Sequence, residues 1–161
     1  MAKTNEKTEE KALEDKKIVE KKEEKKSEKE RAIVNGFSLI ISPKQSYSIC
    51  RMIKGKSIDK AIEYLEKVVL MKKAVPMNNR EVPHRKGNLM AGRYPITAAI
   101  EFIKLLKQLK ANVSVNNIEN NIITIAMANR ASRPYKRGGR RGKRTNVYIE
   151  AKDRKKIGEK K

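Results

Sequence analysis

Between Arg130 and Arg144 the chain reads Arg-Ala-Ser-Arg-Pro-Tyr-Lys-Arg-Gly-Gly-Arg-Arg-Gly-Lys-Arg, with eight cations (Arg130, Arg133, Lys136, Arg137, Arg140, Arg141, Lys143 and Arg144) and no carboxylate. Charge of one sign at this density cannot be taken out of water without counter-charge, so the run belongs outside any core. It is flanked by Ile122-Ile-Thr-Ile-Ala-Met-Ala128 and by Thr145-Asn-Val-Tyr-Ile-Glu-Ala151. Both have the β-branched content and rough alternation of half-buried strands. A basic loop between two such strands predicts a long β-hairpin over 122–152. Gly138, Gly139 and Gly142 would supply its turn, because positive φ is nearly free only for glycine. At about 3.3 Å per residue, the arm would reach roughly 30 Å beyond a core.

An isolated two-stranded ribbon is marginal in water, and one this charged repels itself. Its ordered form therefore calls for a polyanion. Phosphate is the polyanion that arginine suits best, through bidentate hydrogen bonds. A solvated loop carrying charge for solubility is the bland alternative, but solubility is served by mixed charges and this run has one sign.

The rest of the composition agrees. Residues 1–31 hold eleven Lys or Arg against ten Asp or Glu, out of chain totals of 40 and 19, so nearly all of the net +21 falls on residues 32–161. A basic domain of that size reads as a nucleic-acid binder. The Lys/Glu-rich stretch 1–31 predicts a low-complexity tail, disordered when free. Residues 32–152 would form the folded domain and 153–161 a charged C-terminal tail. No run has the length of a membrane span, and the start has no apolar leader segment, so a soluble, non-secreted protein is expected. The single cysteine, Cys50, excludes an internal disulfide or a cysteine-rich zinc site.

In chain order, Phe37-Ser-Leu-Ile-Ile41 predicts a strand with Phe37, Leu39 and Ile41 on one face. Ser42-Pro-Lys-Gln45 predicts a helix start, with Ser42 as cap, Pro43 in the first turn and Gln45 completing a capping box. That helix would run to Lys54 and stop at Gly55, with Ile49 and Ile53 inward. A second would follow Ser57, burying Ile58, Ala61, Ile62, Leu65, Val68 and Val69. Ala74 to Tyr94 predicts a basic loop without regular structure. A third helix would begin at Pro95, with Ile96, Ala99, Ile100, Ile103 and Leu106 as one stripe and Phe102, Leu105 and Leu109 widening it. Asn112–Asn121 reads as a polar connection. The expected fold class is α+β: a small antiparallel three-stranded sheet packed on three helices, with the basic hairpin projecting from the domain.

Nothing in this pattern points to catalysis. His84 is the only histidine and lies among arginines in a proline-containing loop, where a hydrogen-bonding contact is the commoner role. Cys50 falls on a helix without a histidine nearby in sequence, as a packed thiol would. Arg137-Gly-Gly-Arg-Arg-Gly142 lacks the following helix that a phosphate-cradling loop requires. Carboxylates are too scarce in the domain to offer a catalytic pair. The expectation is a protein that is not an enzyme and has no cofactor and no metal.

Several segments in order, Ile41-Ser-Pro-Lys-Gln45, Cys50-Arg-Met-Ile-Lys-Gly-Lys56, Ala61-Ile-Glu-Tyr-Leu65, Lys73-Ala-Val-Pro76, His84-Arg-Lys-Gly87 and Gly92-Arg-Tyr-Pro-Ile-Thr-Ala-Ala99, precede the basic hairpin closing on Arg144-Thr-Asn-Val-Tyr-Ile149. Together they resemble the large-subunit ribosomal protein twenty-two family, in its archaeal and eukaryotic form, over roughly residues 37–152. The resemblance implies an α+β domain seated on large-subunit rRNA in the cytoplasmic ribosome, with a hairpin reaching the wall of the nascent-peptide tunnel. It implies rRNA contacts from Arg130, Arg133, Lys136, Arg137, Arg140, Arg141, Lys143 and Arg144 along the arm. Around the domain it implies contacts from Arg51, Lys54, Lys56, Arg80, His84, Arg85, Lys86 and Arg93. Neighbouring large-subunit proteins and, at the hairpin tip, the nascent peptide would be further partners; neither a membrane nor a homo-oligomer is implied.

Tyr135 is suited either to stack on an unpaired base or to pack across the ribbon. The segment between Asn129 and Thr145 is several residues shorter than the family's usual arm, and Pro134 with Gly139-Arg140 only loosely echoes its Pro-Arg-Ala-x-Gly-Arg run. Two other classes are less well served. A free-standing DNA- or RNA-binding regulator would need side chains that read bases, whereas Arg, Lys and Gly mainly position on phosphate. A membrane-surface protein would need a basic amphipathic helix with bulky aromatics.

Overall fold

The computed structural model describes residues 31–77, 89 and 91–153. The expected N-terminal tail up to residue 30, the C-terminal tail beyond Asp153, and Arg80, His84, Arg85 and Lys86 lie outside them. The order is β1 (Arg31–Leu39), α1 (Pro43–Ile53), α2 (Ile58–Val69), β2 (Val75–Pro76), β3 (Gly92–Arg93), α3 (Ile96–Val115), β4 (Asn121–Arg130) and β5 (Thr145–Asp153). The three long strands form an antiparallel sheet in the order β1-β5-β4. α3 packs on β1 and on α2, while α1 packs on β4. The α+β expectation therefore holds.

The core lies between the helices and one face of the sheet. Ile49 and Ile53 of α1, Leu65 and Val68 of α2, Phe102, Leu106 and Leu109 of α3, and Ile123 and Ile149 of the sheet are all fully buried there. α1 and α2 take the expected bounds because Gly55, at φ +81°, turns the chain between them. The cap of α1 differs from expectation. Neither Ser42 nor Ser57 makes a side-chain cap bond. The Ser42 carbonyl instead accepts from the Ser46 hydroxyl at 2.9 Å, and the first amide of α2, that of Ile58, donates to the Asn121 side chain at 3.3 Å.

β1 corrects the sequence reading. It starts well before Phe37 and turns Ala32, Val34 and Gly36 inward, while Phe37 is 74% exposed. The alternation breaks at a bulge between Gly36 and Leu39, where Ser38 takes φ +51°, and this returns Ile41 to the core. The Thr145 hydroxyl fixes that return by donating to the Ile41 carbonyl at 2.9 Å.

α3 is also differently rotated. Its buried face is Ala98, Ala99, Phe102, Leu105, Leu106, Leu109 and Val113, whereas Ile100 is exposed and Ile96 and Ile103 are half-buried. The helix continues to Val115 through what reads in sequence as a polar connection, and its asparagines have a task there. Asn112 and Asn116, one turn apart, donate to the carbonyls of Ile33 and Arg31 at 2.9 and 3.0 Å. They cover the edge strand that would otherwise offer unpaired backbone groups. The expected featureless loop from Ala74 to Tyr94 closes at its base through two antiparallel pairs, Val75 with Arg93 and Pro76 with Gly92. Two-residue strands carry too little pattern to be visible in sequence.

Candidate nucleic-acid interface

β4 and β5 pair from Asn121 opposite Asp153 to Arg130 opposite Thr145, with one bulge between Ile123 and Ile125. The bulge changes which side chains face the helices: Ile123 is buried before it, and Ala126 and Ala128 pack against the core after it. Beyond Arg130 the arm is held by sparser pairing. The Ala131 amide donates to the Arg144 carbonyl at 3.1 Å, the Gly142 amide to Pro134 at 2.9 Å and the Lys136 amide to Arg140 at 2.7 Å. A single 3-10 turn, Arg137–Gly139, reverses the chain, with Gly138 and Gly139 at φ +73° and +70°. Gly142 does not share that conformation. It is buried, and a Cβ there would come 3.0 Å from Lys136 Cε and 3.7 Å from Pro134 Cγ, so it serves close approach within the ribbon instead.

Of the arm's cations, Arg130, Arg133, Lys136, Arg137, Arg140, Arg141 and Lys143 are exposed and Arg144 is half-buried. Tyr135 packs across the ribbon. Its position bridges Arg141, whose guanidinium lies 4.7 Å from the ring centroid and donates to the phenol oxygen. The ring is nevertheless 72% exposed. Ion pairs away from the arm join Glu63 to Lys67, Glu101 to Lys104, Asp59 to Lys110 and Glu150 to Lys152.

On the globular part, Arg51 and Lys54 are exposed at the end of α1 and Arg93 is exposed on β3. Lys56 is different. It is half-buried with its ammonium 4.4 Å from the centroid of the Tyr64 ring, and Lys73 stands 4.3 Å from the same ring. Burial, with the Lys73 charge added, holds the Lys56 ammonium below the usual lysine range. Lys73 is a candidate that sequence reasoning missed. Its position depends on Met71 at φ +55°, a conformation unusual for methionine and therefore invisible in the pattern. Cys50 is buried, and desolvation pushes its thiol up to about 12, consistent with a packed side chain. Among the described residues, no His, Cys, Asp and Glu side chains gather in a group that could hold a metal, and no helix is long and apolar enough to cross a membrane.

Residues 34–152 match the family described as Ribosomal protein L22p/L17e. The chain belongs to that family. The matched span runs from within β1 to within β5 and so takes in the sheet, all three helices and the arm. Among curated relatives, the large ribosomal subunit protein uL22 of Methanococcoides burtonii is 43% identical over 93 residues, covering 56% of this chain and 62% of that protein. The uL22 protein of Archaeoglobus fulgidus is 41% identical over 99 residues, with 58% of this chain and 64% of the relative covered. The similarity thus spans a little under two thirds of these relatives' length.

Proposed function

We propose that this L22-family chain is a structural, non-catalytic constituent of the large ribosomal subunit, binding large-subunit rRNA through its arm and through basic residues of the globular domain. The observation that carries this reading is the arm itself, where eight cations occur between residues 130 and 144 with no carboxylate among them. Folded rRNA presents phosphates at many angles, and flexible cations on a narrow ribbon can neutralise several strands that meet at one place. The relatives' name, large ribosomal subunit protein, supports the same setting.

In this reading Arg130, Arg133, Lys136, Arg137, Arg140, Arg141, Lys143 and Arg144 contact rRNA along the arm, with Tyr135 bracing the ribbon through Arg141 and offering its free ring face to a base. Arg51, Lys54, Lys56 and Arg93 make contacts from the domain, joined by Arg80, His84, Arg85 and Lys86. The arm projects from the domain, and its turn at Arg137–Gly139 approaches the wall of the exit tunnel and the nascent peptide. Neighbouring large-subunit proteins complete the surroundings, and the particle is the cytoplasmic ribosome.

Sedimentation tests this. The chain should travel with large subunits through a high-salt wash, because many phosphate contacts act together within a folded particle. Release into the supernatant at moderate salt would instead indicate a free-standing nucleic-acid-binding protein.

A further inference from the structure

Two backbone devices bring two lysines, far apart in sequence, to one aromatic ring. The first is the turn after α1. Gly55, in the left-handed region, donates its amide to the Ile123 carbonyl at 2.8 Å, and the Lys56 carbonyl accepts from the Ile123 amide at 3.0 Å. Lys56 is thereby fixed to β4 at its backbone. The second is the end of α2. Met71 occupies the left-handed position, its amide donating to Val68 at 3.0 Å while the Lys72 amide donates to the Lys67 carbonyl at 2.9 Å. This is the pattern of a Schellman stop, which ordinarily uses glycine at that position. A methionine there carries local strain, and its effect is to fold Lys73 back over α2.

Tyr64 lies between these devices. Its hydroxyl donates to the Ala74 carbonyl at 3.0 Å, which fixes the ring from the other end. Each ammonium is within 4.4 Å of the ring centroid, so the two cannot stand farther apart than those two short distances laid end to end. The ring face offsets part of their repulsion, but a ring carries no full charge. Glu63, the carboxylate that feels Lys73, is exposed and hydrogen-bonded to Lys67.

We infer that Lys56 and Lys73, held against Tyr64, form a paired-ammonium site that takes the phosphodiester backbone of a single RNA strand, at one phosphate or two successive ones. Phosphodiester is the chemistry that fits. It brings a full negative charge to each ammonium and needs no planar fork, and lysine binds phosphate as a point charge. Tyr64 is then a positioning residue, its ring given to the lysines and its hydroxyl to the backbone. Burial first, and the Lys73 charge second, hold the Lys56 ammonium below the usual lysine range, the second cause being what a neighbouring cation at the same ring produces.

The inference rests on the rRNA-binding reading, and one experiment separates the two. The salt dependence of binding to transcribed large-subunit rRNA is measured for the full chain, for Lys73→Gln, for Lys73→Arg and for Arg140→Ala/Arg141→Ala. Lys73→Gln should lower the slope of log K against log salt by about 0.7 to 0.9, so that raising salt from ~50 to ~200 mM costs it about threefold less affinity than it costs the unaltered chain. Lys73→Arg should restore the slope, which a merely structural role for the lysine stem would not require. An unchanged slope in Lys73→Gln beside a reduced slope in Arg140→Ala/Arg141→Ala overturns the paired site and leaves the arm's role standing. Unchanged slopes in both overturn the paired site and the rRNA-binding reading together.

Discussion

Gly55 and Ile123 hold one another in register: the Gly55 amide donates to the Ile123 carbonyl at 2.8 Å, and the Ile123 amide donates back to Lys56, the residue after Gly55, at 3.0 Å. The α1–α2 turn thus acts as a short extra strand on the free edge of β4, while Asn112 and Asn116 cover the edge of β1. Both edges of a three-stranded sheet are closed by side chains or turns, which suppresses edge-to-edge association.

Replacing Gly55 with Ala tests that clamp. Nothing lies within 4 Å of the added Cβ, so the effect comes from the φ of +81° alone. A loss of about 1–2 kcal/mol is expected in urea unfolding. No loss would mean that the turn relaxes freely and does not hold β4.

Cys50 should be inert in the folded chain. It is 2% exposed, and burial pushes its thiol up to about 12, leaving almost no thiolate near neutrality. Alkylation at pH 8 should be negligible in native protein and prompt in urea. Rapid native labelling would show that the α1 core opens.

Glu150 gives a pH signature. Burial on the central strand alone would raise its carboxyl. The Tyr148 hydroxyl at 2.8 Å, the Lys152 ammonium at 3.1 Å and the charge of Arg31 outweigh that and hold it below the usual carboxylate range. A depressed acid contributes stability that is present above its unfolded pKa of about 4.3 and is lost as pH falls through the lower folded value. The difference in Tm between the unaltered chain and Glu150→Gln should therefore be largest above about pH 5 and shrink below about pH 4. A difference that grows on acidification would contradict the assigned direction.

Amide exchange separates arm from core. The arm's cross-ribbon bonds are few and lie outside the hydrophobic core, whereas Leu105 and Leu106 sit within it. In the free protein, amides of Ser132 to Lys143 should exchange rapidly and those of Ile100 to Leu106 slowly, with the arm protected once rRNA is bound. An arm already protected without RNA would show that phosphate is not what orders it.

Much of this architecture is legible in the residues because local signals agree with the tertiary answer. Gly55 stops α1, the apolar stripe of α2 is unambiguous, and the one-signed run between two β-branched segments reads as a hairpin. The misreadings have physical causes. The bulge at Ser38 reverses the parity of β1, so Phe37, apolar and in phase with Leu39, ends outside. α3 is apolar around more than half its girth, and its rotation is chosen by packing against α2 and β1, which burial of Ala98 and Val113 reveals and periodicity does not. In the candidate site, the arm's cations declare themselves by density, whereas the pairing of Lys56 with Lys73 depends on a methionine in the left-handed region and could be seen only in three dimensions.

The most direct measurement is the structure of a large ribosomal subunit carrying this chain, read at residues 130–144. Nucleotide phosphates should lie in hydrogen-bonding contact with Arg133, Arg137 and Arg140 along both sides of the ribbon. The same residues packed on protein, or in solvent with no nucleotide beside them, would contradict the claim that this ribbon is built for RNA.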